Sequence, residues 1–404
     1  MKYTFPHITH IDQVRPVIEN VDGFIIAERE WGFVANYIQM GEELFPPVHS
    51  AGGSAKMREA RMIEKAIRRE CRGLIFDRSG NLISRPFHKF FNVNEREETL
   101  VNKIDLDAPH VILEKLDGSM IRPIPFDNGF RLGTKMGITD ISMQAEVFVS
   151  KNPHYAQFIM TMLEAGLTPI FEWCSRQQRI VIDYPVDRLV LTAVRHLHSG
   201  VYMQYDNLCV LADQHNIDVV KTYAGTVESM QSLMDETRDL KGQEGWIIRW
   251  ADGHMAKIKA AEYLSIHKAK DNILRERGVL ELILDEKLDD VKPFLIDEDR
   301  QRLIDYENSF WAGLRRTADE WTMSNNAFRN QYQNDRKSFA LEMAPKIDSH
   351  LRSAVFTAWD KDNFNMVDHL VNVVRKNIGT QPKINDIRHL WGSKVWSFSG
   401  ASEE

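Results

Sequence analysis

The chain has 404 residues, of which 43% are hydrophobic and 27% are charged, the balance of a soluble globular protein with two or three domains. Its formal net charge of −7 argues against a protein that coats duplex nucleic acid, because such proteins are usually basic. No apolar run is long enough to cross a bilayer, and Met1–His7 lacks the apolar core of a signal peptide. Three widely spaced cysteines lack zinc-site spacing and indicate a reducing compartment. We therefore expect a cytoplasmic protein with no membrane partner.

Residues 1 to about 110 have the pattern of a mixed α/β region. Two strands are predicted at Phe24–Ala27 and Trp31–Tyr37, and helical spacing of apolar residues predicts a helix over Ala55–Arg69. A strand at Glu70–Asp77 is expected to turn at Arg78–Asn81 and to return antiparallel over Asn81–Pro86.

The hexapeptide Glu114–Ser119 contains the most reactive combination of residues in the chain. Side chains two apart on a strand share a face, so we expect Lys115 and Asp117 to point into one cleft, with Gly118 allowing a ligand close to the backbone. A lysine beside an acid suits a nucleophile. By itself the hexapeptide is equally compatible with a surface strand that ends in an Asp-Gly turn.

The middle of the chain alternates between predicted strands and helices. A strand over Arg131–Gly137 presents Lys135, and a helix follows over Met143–Gly166. The strand Pro169–Cys174 carries Glu172, a carboxylate that is costly to bury unless a cation meets it. Further strands are predicted at Arg179–Asp183 and Leu189–Arg195, before a helix at Leu208–His215.

The segment 244–260 predicts a β-hairpin with an Asp-Gly turn. Alternation along its second strand places Lys257 and Lys259 on one face, with Ala256 and Ile258 on the other. Two lysines on one face are tolerated in water, but inside a cleft they indicate a bound anion.

From residue 270 to about 395 the apolar residues recur at intervals of three and four, which predicts an all-helical domain. We therefore expect an α+β protein. A first domain of antiparallel sheets with helices spans residues 1–265, and an all-helical C-terminal domain spans 266–404.

Taken together, these motifs resemble those of the covalent nucleotidyltransferases, the superfamily of polynucleotide ligases and mRNA capping enzymes. Within it, the chain is similar to the phage RNA ligase 1 family, the tRNA-repair ligases of bacteriophages, from about Asn36 to Lys292. In chain order, the matching elements are Arg72-Gly73, Lys89-Phe90-Phe91-Asn92, Lys115 to Gly118, Lys135, Phe171-Glu172, Glu244-Gly245, Lys257-Ile258-Lys259, Tyr263 and the stretch Leu288 to Lys292 with Asp289. The chain departs from the family at Ala35, where a nucleotide-contacting tyrosine is expected and Tyr37 stands two residues later.

The resemblance implies a nucleotidyltransferase (ATP-grasp-like ligase) domain and an ATP-dependent RNA ligase. Lys115 would attack the α-phosphate of ATP and carry AMP, which would pass to an RNA 5′-phosphate before a 3′-hydroxyl displaces it. A free lysine is mostly protonated, and Lys257, Lys259 and a divalent metal are the cations expected to favour its neutral form.

The resemblance also implies a role for each remaining site residue. Asp117, Gly118, Lys135, Glu244 and Gly245 would belong to the catalytic set, and Tyr263 would contact RNA. Arg72, Lys89, Glu172, Lys257 and Lys259 would bind ATP, with Glu172 on the ribose hydroxyls. Mg²⁺ or Mn²⁺ would be held by Glu244 and Asp289, with Asp117 as a further carboxylate.

Three alternatives differ in class from an RNA ligase. A DNA ligase or a capping guanylyltransferase usually appends a small β-barrel after the paired-lysine motif, where helices are expected here. A non-catalytic RNA-end-binding protein would not need the full catalytic set. A P-loop enzyme is excluded because no Gly-Lys-Ser/Thr loop occurs.

The expected partner is RNA, most specifically a cleaved tRNA in the cytoplasm of a phage host, with ends prepared by a polynucleotide kinase-phosphatase. We expect the ligase itself to be a monomer.

Overall fold

The computed structural model describes residues 3–38, 43–49, 52–177, 181–285, 287–288, 291–292, 295, 297–361, 364–392 and 394–397. The chain divides into two compact units, Met1–Leu264 and Ser265–Glu404. No helix within the described ranges is both long enough and apolar enough to cross a membrane.

The described residues of the first unit form three four-stranded sheets. The first has the order β1-β2-β3-β4, all antiparallel. Its strands are β1 (Phe24–Arg29), β2 (Gly32–Tyr37), β3 (Leu74–Phe76) and β4 (Leu82–Ser84). The predicted hairpins at both ends of this sheet are therefore confirmed.

The second sheet has the order β10-β9-β7-β8 and is antiparallel throughout. Its strands are β7 (Ser119–Phe126), β8 (Gly129–Gly133), β9 (Leu167–Cys174) and β10 (Arg188–His196). One face of this sheet packs on helices through Phe158, Phe171 and Leu208, which are fully buried. Each such side chain contributes about 1.5–3 kcal/mol by leaving water.

The third sheet has the order β5-β12-β11-β6. Its strands are β5 (Phe91–Asn92), β6 (His110–Lys115), β11 (Gly245–Trp250) and β12 (Met255–Lys259). The pairs β6–β11 and β11–β12 are antiparallel, and β5 joins β12 in parallel. The predicted hairpin of β11 and β12 is confirmed, and its turn lies at Ala251–Gly253.

Helices cover the edges and faces of these sheets. They are α1 (Arg15–Ile18), α2 (Ala55–Glu70), α3 (Asp140–Lys151), α4 (Pro153–Glu164), α5 (Tyr205–Gln214) and α6 (Met230–Arg238). The single helix predicted over 143–166 is two helices, because Asn152 leaves helical geometry and Pro153 opens the next helix. The predictions at α2 and α5 are confirmed, whereas α6 was not predicted.

Two predicted strands differ from the structure. The strand expected over Arg131–Gly137 is wrong at its end, because β8 stops at Gly133 and Lys135 lies in the following turn. For the strand expected at Arg179–Asp183, residues 178–180 lie outside the described set. Val181, Ile182 and Asp183 are not in a strand, so the prediction is wrong for the part that is described.

The second unit contains helices and no strand among its described residues, which confirms the all-helical prediction. The helix α7 (Ala261–Ile273) runs across the division between the units. The others are α8 (Glu276–Leu284), α9 (Asp297–Gln331), α10 (Arg336–Glu342), α11 (Ser349–Ala358), α12 (Met366–Asn377) and α13 (Gln381–Ile387).

The core of the second unit combines an apolar cluster around α9 with one buried acid. Phe310 and Leu314 of α9 are buried in the same cluster as Leu370 of α12. Glu276 accepts hydrogen bonds from Tyr306 Oη at 2.7 Å and from Arg388 Nη2 at 2.6 Å. A buried carboxylate that is paired with an arginine in this way holds the separate helices in one arrangement.

Candidate functional site

The third sheet places three lysines on one face. In the pairing register, Gly245 of β11 lies opposite Lys115 of β6 on one side and opposite Lys259 of β12 on the other. Residues directly opposite each other share a face of the sheet. Lys257 lies two residues before Lys259 on the same strand and therefore shares that face.

Glu244 supplies a carboxylate between two of these lysines. Its Oε2 is 2.7 Å from Lys115 Nζ, and its Oε1 is 3.0 Å from Lys259 Nζ. Glu244 is only 2% exposed, so salt screens these ion pairs much less than pairs on an open surface. The sheet register thus assembles Lys115, Glu244 and Lys259, three residues that are far apart in sequence.

Gly245 is a position that no other residue can occupy without rearrangement. Its φ is +144°, and a Cβ atom built there would lie 2.0 Å from the backbone oxygen of Ile258. The missing side chain also leaves the row between Lys115 and Lys259 open. The Glu-Gly pair therefore combines a charged group with the close approach that only glycine allows.

Asp117 does not share a strand face with Lys115, because β6 ends at Lys115. The prediction of a common face is wrong. Asp117 is 3% exposed, and its Oδ2 accepts hydrogen bonds from the amides of Val181 and Ile182, both at 2.7 Å. Its Oδ1 accepts one from Tyr263 Oη at 2.8 Å. With both oxygens engaged, Asp117 is placed to hold the turn after Lys115 rather than to bind a metal.

Gly118 lies where the turn meets the neighbouring strand β9. A Cβ atom there would be 2.4 Å from the backbone oxygen of Trp173 and 3.0 Å from Glu172 Cγ. The next strand, β7, pairs with β9 so that Met120 lies opposite Glu172. The turn Asp117–Gly118 therefore brings the end of β6 against the strand that carries Glu172.

A cavity of about 220 Å³ opens beside Lys115. Its charged and polar lining includes Lys115, Glu172, Lys257 and Arg72. Apolar side chains make up much of the remaining wall, namely Phe87, Phe90, Leu113, Leu116, Met120, Val220, Ile247 and Met255. Apolar walls with a few convergent charges are typical of a pocket for a small ligand with one anionic end.

Two ionisable side chains in this cavity have pKa values that are shifted toward 7. Burial raises the pKa of Glu172 to about 7, against the opposing effect of Lys115. Burial, together with the nearby cations Lys89 and Lys115, lowers the pKa of Lys257 to about 7. A site that disfavours its own charges in this way is prepared to receive an anion from a ligand.

A second group of cations surrounds Tyr37. Lys135 Nζ lies 4.6 Å from the centre of the Tyr37 ring, and Lys89 Nζ lies 5.5 Å from it. Although burial opposes ionisation, Arg72, Lys89 and Lys135 together lower the pKa of Tyr37. Burial also lowers the pKa of Lys89, which is 4% exposed. Arg72 connects this group to the cavity, because it belongs to both.

Several predicted positions stand apart from the cavity. Ala35 is fully buried in the core, and Tyr37 occupies the cationic cluster instead. Tyr263 is 4% exposed and supports Asp117, so its predicted contact with RNA stays a prediction. Asp289 lies outside the described residues.

Of the two residues predicted to hold a metal, Glu244 lies among the described residues and Asp289 does not. Within the described ranges, no group of three or more His, Cys, Asp or Glu side chains is arranged to hold a metal. Both carboxylate oxygens of Glu244 are engaged by Lys115 and Lys259, and its predicted role as a metal ligand stays a prediction.

The residues that the sequence did not single out are those that clamp the turn after Lys115. Tyr184 Oη accepts a hydrogen bond from the Asp117 amide at 3.0 Å, and Val181 and Ile182 donate their amides to the Asp117 carboxylate. Backbone amides carry no sequence signal, and a lone tyrosine carries very little. These contacts depend on the fold and could not be read from a motif.

Comparison with known proteins assigns the chain to a family. The sequence model of the RNA ligase family matches residues 70–271, which is half of the chain. The "Putative RNA ligase" of Thermovibrio ammonificans is 30% identical over 236 residues, covering 56% of this chain and 60% of that protein. RNA ligase 1 of bacteriophage TS2126 is 24% identical over 257 residues, covering 61% and 63%. The chain thus spans about three fifths of the length of both relatives.

Solved structures with a likeness to this chain are more distant. An archaeal ATP-dependent RNA ligase aligns with a TM-score of 0.40 and 12% identity over 65% of this chain and 64% of that one. The RNA ligase of Naegleria gruberi, in a structure with ATP and Mn, aligns with a TM-score of 0.35 and 15% identity over 43% and 56%. Structural alignments with TM-scores this low carry no conclusion about function. The family match over half of the sequence is sufficient by itself, and the chain belongs to the RNA ligase family, of the phage RNA ligase 1 type.

Proposed function

We propose that the protein is an ATP-dependent ligase that joins the 5′-phosphate and 3′-hydroxyl ends of RNA through lysyl-AMP and RNA-adenylate intermediates. The observation that carries the proposal is the position of Lys115, whose Nζ lies 2.7 Å from Glu244 Oε2 at the wall of the cavity. A lysine held beside a carboxylate and two further lysines is suited to forming a bond to a phosphate.

In the first step, Lys115 Nζ attacks the α-phosphorus of ATP. An N–P bond forms, the bond from the α-phosphorus to the bridging oxygen breaks, and pyrophosphate leaves. The ammonium must lose a proton before it attacks, and Glu244 is within hydrogen-bond distance to accept it. Lys257 and Lys259 face the same side of the sheet and would stabilise negative charge on the phosphate.

In the second step, an oxygen of the RNA 5′-phosphate attacks the phosphorus of lysyl-AMP. The N–P bond breaks, and Lys115 recovers its electron pair and a proton. In the third step, the RNA 3′-hydroxyl loses its proton and attacks the 5′-phosphorus, which releases AMP and leaves a phosphodiester. The same cationic face serves all three steps, because each one builds charge on a phosphate.

The cavity would hold the adenosine part of ATP. Its apolar wall, with Phe87, Phe90 and Met120, suits a planar base, and Glu172 would accept hydrogen bonds from the ribose hydroxyls. Arg72, Lys89 and Lys135 would meet phosphate oxygens, from either the ATP tail or the RNA end. Mg²⁺ or Mn²⁺ adds positive charge at the α-phosphate when bound, and Glu244 is the residue that would hold it, together with water.

We extend the proposal to a cleaved tRNA anticodon loop as the substrate, with the helical second unit as its recognition domain and a kinase-phosphatase as the source of matched ends. The resemblance to phage tRNA-repair ligases supports this extension, as does the absence of a β-strand among the described residues after Leu264. A DNA ligase or capping enzyme would usually continue with a small β-barrel at that point. We propose that the ligase acts as a monomer.

The test is incubation with α-labelled ATP and magnesium, followed by a nicked tRNA anticodon stem-loop or a nicked DNA duplex. We expect label on the wild-type protein, none on Lys115→Ala, and sealing of the RNA. Label that persists on Lys115→Ala would contradict the assignment of the nucleophile. Sealing of the DNA alone would favour a DNA ligase, and no label on the wild type would favour an RNA-end-binding protein.

A further inference from the structure

One face of α2 carries a row of basic side chains. At about 100° per residue, Arg58, Arg61, Lys65 and Arg68 fall within an arc of roughly 80°. Ala66, Ile67 and Glu70 mark the buried side of the helix elsewhere around the axis, and the buried Arg69 borders the row. Arg58 and Arg61 are exposed and Lys65 and Arg68 are half-buried, so the row faces outward. We call these four side chains the basic row.

Three of the four side chains in the basic row, Arg58, Lys65 and Arg68, lack an acidic partner among the described residues. Arg58 Nη1 instead donates to the backbone oxygen of Gly53 at 2.7 Å, and Lys65 Nζ donates to that of His49 at 2.6 Å. Each bond uses one of several N–H groups of its side chain, so the positive charge remains available to a further partner.

Hydrogen bonds to the preceding loop explain the positions of Arg58 and Lys65 but not that of Arg68. Among the described residues, its guanidinium makes no hydrogen bond, and its Nε is buried without an acceptor. The chain as a whole has a net charge of −7, so three neighbouring cations without an acidic partner among the described residues are a local exception. A partner that brings several regularly spaced negative charges fits such a row.

The basic row leads to the site. The helix α2 ends at Glu70, and Arg72 follows in the wall of the cavity. The backbone oxygen of Arg69 also accepts a hydrogen bond from the amide of Lys89 at 2.7 Å. The last turn of α2 is therefore joined to Lys89 and Arg72, so the Arg68 end of the row is the end connected to the wall of the cavity.

We propose that the basic row binds the phosphate backbone of the RNA strand whose end reacts at Lys115. The row spans ten residues from Arg58 to Arg68, about 15 Å along the helix axis. That length matches roughly four to five nucleotides at 3.4 Å each. The inference rests on the proposed RNA ligase function and adds a path for the strand outside the cavity. Phosphate contacts position a strand without reading its sequence or its sugar.

The test compares the triple variant Arg58→Gln/Lys65→Gln/Arg68→Gln with Lys56→Gln, by fluorescence anisotropy with a labelled, 5′-phosphorylated ten-nucleotide RNA. Lys56 is an exposed lysine of the same helix, roughly 160° around the axis from the middle of the row. Three lost phosphate contacts should lower the slope of log affinity against log salt by about 2. The wild type should therefore lose about 20-fold more affinity than the triple variant between 50 and 200 mM salt, and Lys56→Gln should follow the wild type.

Three further measurements separate this inference from the proposed function. Label transfer from ATP to Lys115 needs no RNA, so the triple variant should keep it. A dinucleotide donor is too short to reach along the row and should bind both proteins alike, whereas a ten-nucleotide DNA should show the same loss as RNA. Arg68→Gln alone breaks no hydrogen bond to the preceding loop. It should show about a third of the triple variant's loss in salt slope, and it guards against misfolding of the triple variant. Unchanged salt slopes for both Arg68→Gln and the triple variant would overturn the inference, as would an equal loss in Lys56→Gln.

Discussion

Lys115 ends β6, and Glu244 immediately precedes the neighbouring antiparallel strand β11, with Lys115 Nζ 2.7 Å from Glu244 Oε2. The same carboxylate reaches Lys259 with its other oxygen, at 3.0 Å. One buried acid thus balances two lysines that stand on either side of Gly245. In the proposed reaction, this acid is the group whose charge matters most for freeing the amine of Lys115.

Glu244→Gln should lower the rate of lysyl-AMP formation by about 100-fold or more, the usual scale for losing a general base. The amide has the same shape but accepts no proton from Lys115 and binds a divalent metal poorly. The measurement is single-turnover labelling of the protein with α-labelled ATP. Glu262→Gln is the matched control. Among the described residues, Glu262 accepts one hydrogen bond, from the Gly242 amide, and glutamine can accept it too. A change of less than about threefold in Glu244→Gln would remove it from the reaction.

Tyr263→Phe should slow the labelling of Lys115, a step that involves no RNA. The substitution removes the 2.8 Å hydrogen bond to Asp117 Oδ1 and leaves a buried carboxylate oxygen poorly satisfied, at a cost of about 1–3 kcal/mol. The midpoint of thermal unfolding should fall accordingly. Because both residues share one bond, the stability losses of Tyr263→Phe and Asp117→Asn should add to more than the loss in the double variant.

A different outcome for Tyr263→Phe would favour the prediction from sequence. If labelling and stability are unchanged and only the sealing of RNA is slowed, then Tyr263 acts on the RNA and its contact with Asp117 is incidental. Labelling of Lys115 and sealing of RNA are measured in separate assays, so the two outcomes can be distinguished.

Gly118→Ala should destabilise the first unit by about 1–3 kcal/mol, the usual cost of overpacking. Its new Cβ would lie 2.4 Å from the backbone oxygen of Trp173, and backbone moves less easily than a side chain. Labelling of Lys115 should also fall, since the turn after it must shift. Gly379→Ala, where a Cβ meets nothing within 4 Å, is the control in chemical denaturation. Equal stability of the two variants would show that the close contact relaxes without cost.

ATP binding should take up a proton at pH 8. With a pKa of about 7, Lys257 is roughly nine-tenths neutral at that pH in the free protein, and a nearby triphosphate favours its charged form. Calorimetry with an ATP analogue whose α–β bridge cannot be cleaved, in buffers of different ionisation enthalpy, measures this uptake. At pH 6 Lys257 is already protonated and contributes little.

Lys257→Met should remove the uptake at pH 8, whereas the exposed Lys241→Met should retain it. Folding favours loss of a proton from Lys257, whereas ATP binding favours uptake of one. Since folding lowers the pKa of Lys257 from 10.5 to about 7, its contribution to stability is fully present above about pH 10.5 and is lost as the pH falls through 7. Uptake that survives in Lys257→Met would assign the proton to another group.

Local patterns predicted the elements whose signals lie within a short window. The hairpin around Asp252-Gly253 and the helix α2 both follow from periodicity and turn residues. The strand before Lys115 was expected to continue to Asp117, but its end depends on the amides of Val181 and Ile182, which capture the Asp117 carboxylate. Val181 and Ile182 lie about sixty-five residues from Asp117 in the sequence, so local propensity does not predict these hydrogen bonds.

Residue identity predicted the members of the site better than their roles. Lys115, Glu172, Glu244 and Lys257 were chosen from motifs, and the structure brings them together. The cluster of Lys89 and Lys135 around Tyr37 was not predicted, because it needs the β2 strand beside the turn after β8. Cross-strand register and loop closure, which determine such neighbours, arise only when the whole sheet is formed.

The row Lys115–Gly245–Lys259 also limits how the sequence can change in length. One residue inserted within Gly245–Trp250 would reverse the side chains on one part of β11 relative to its two neighbours and would separate Glu244 from at least one lysine. One residue inserted at the turn Ala251–Gly253 would leave both pairings intact. Related ligases should therefore differ in the length of this turn while keeping an unbroken strand from the Glu-Gly pair to the turn.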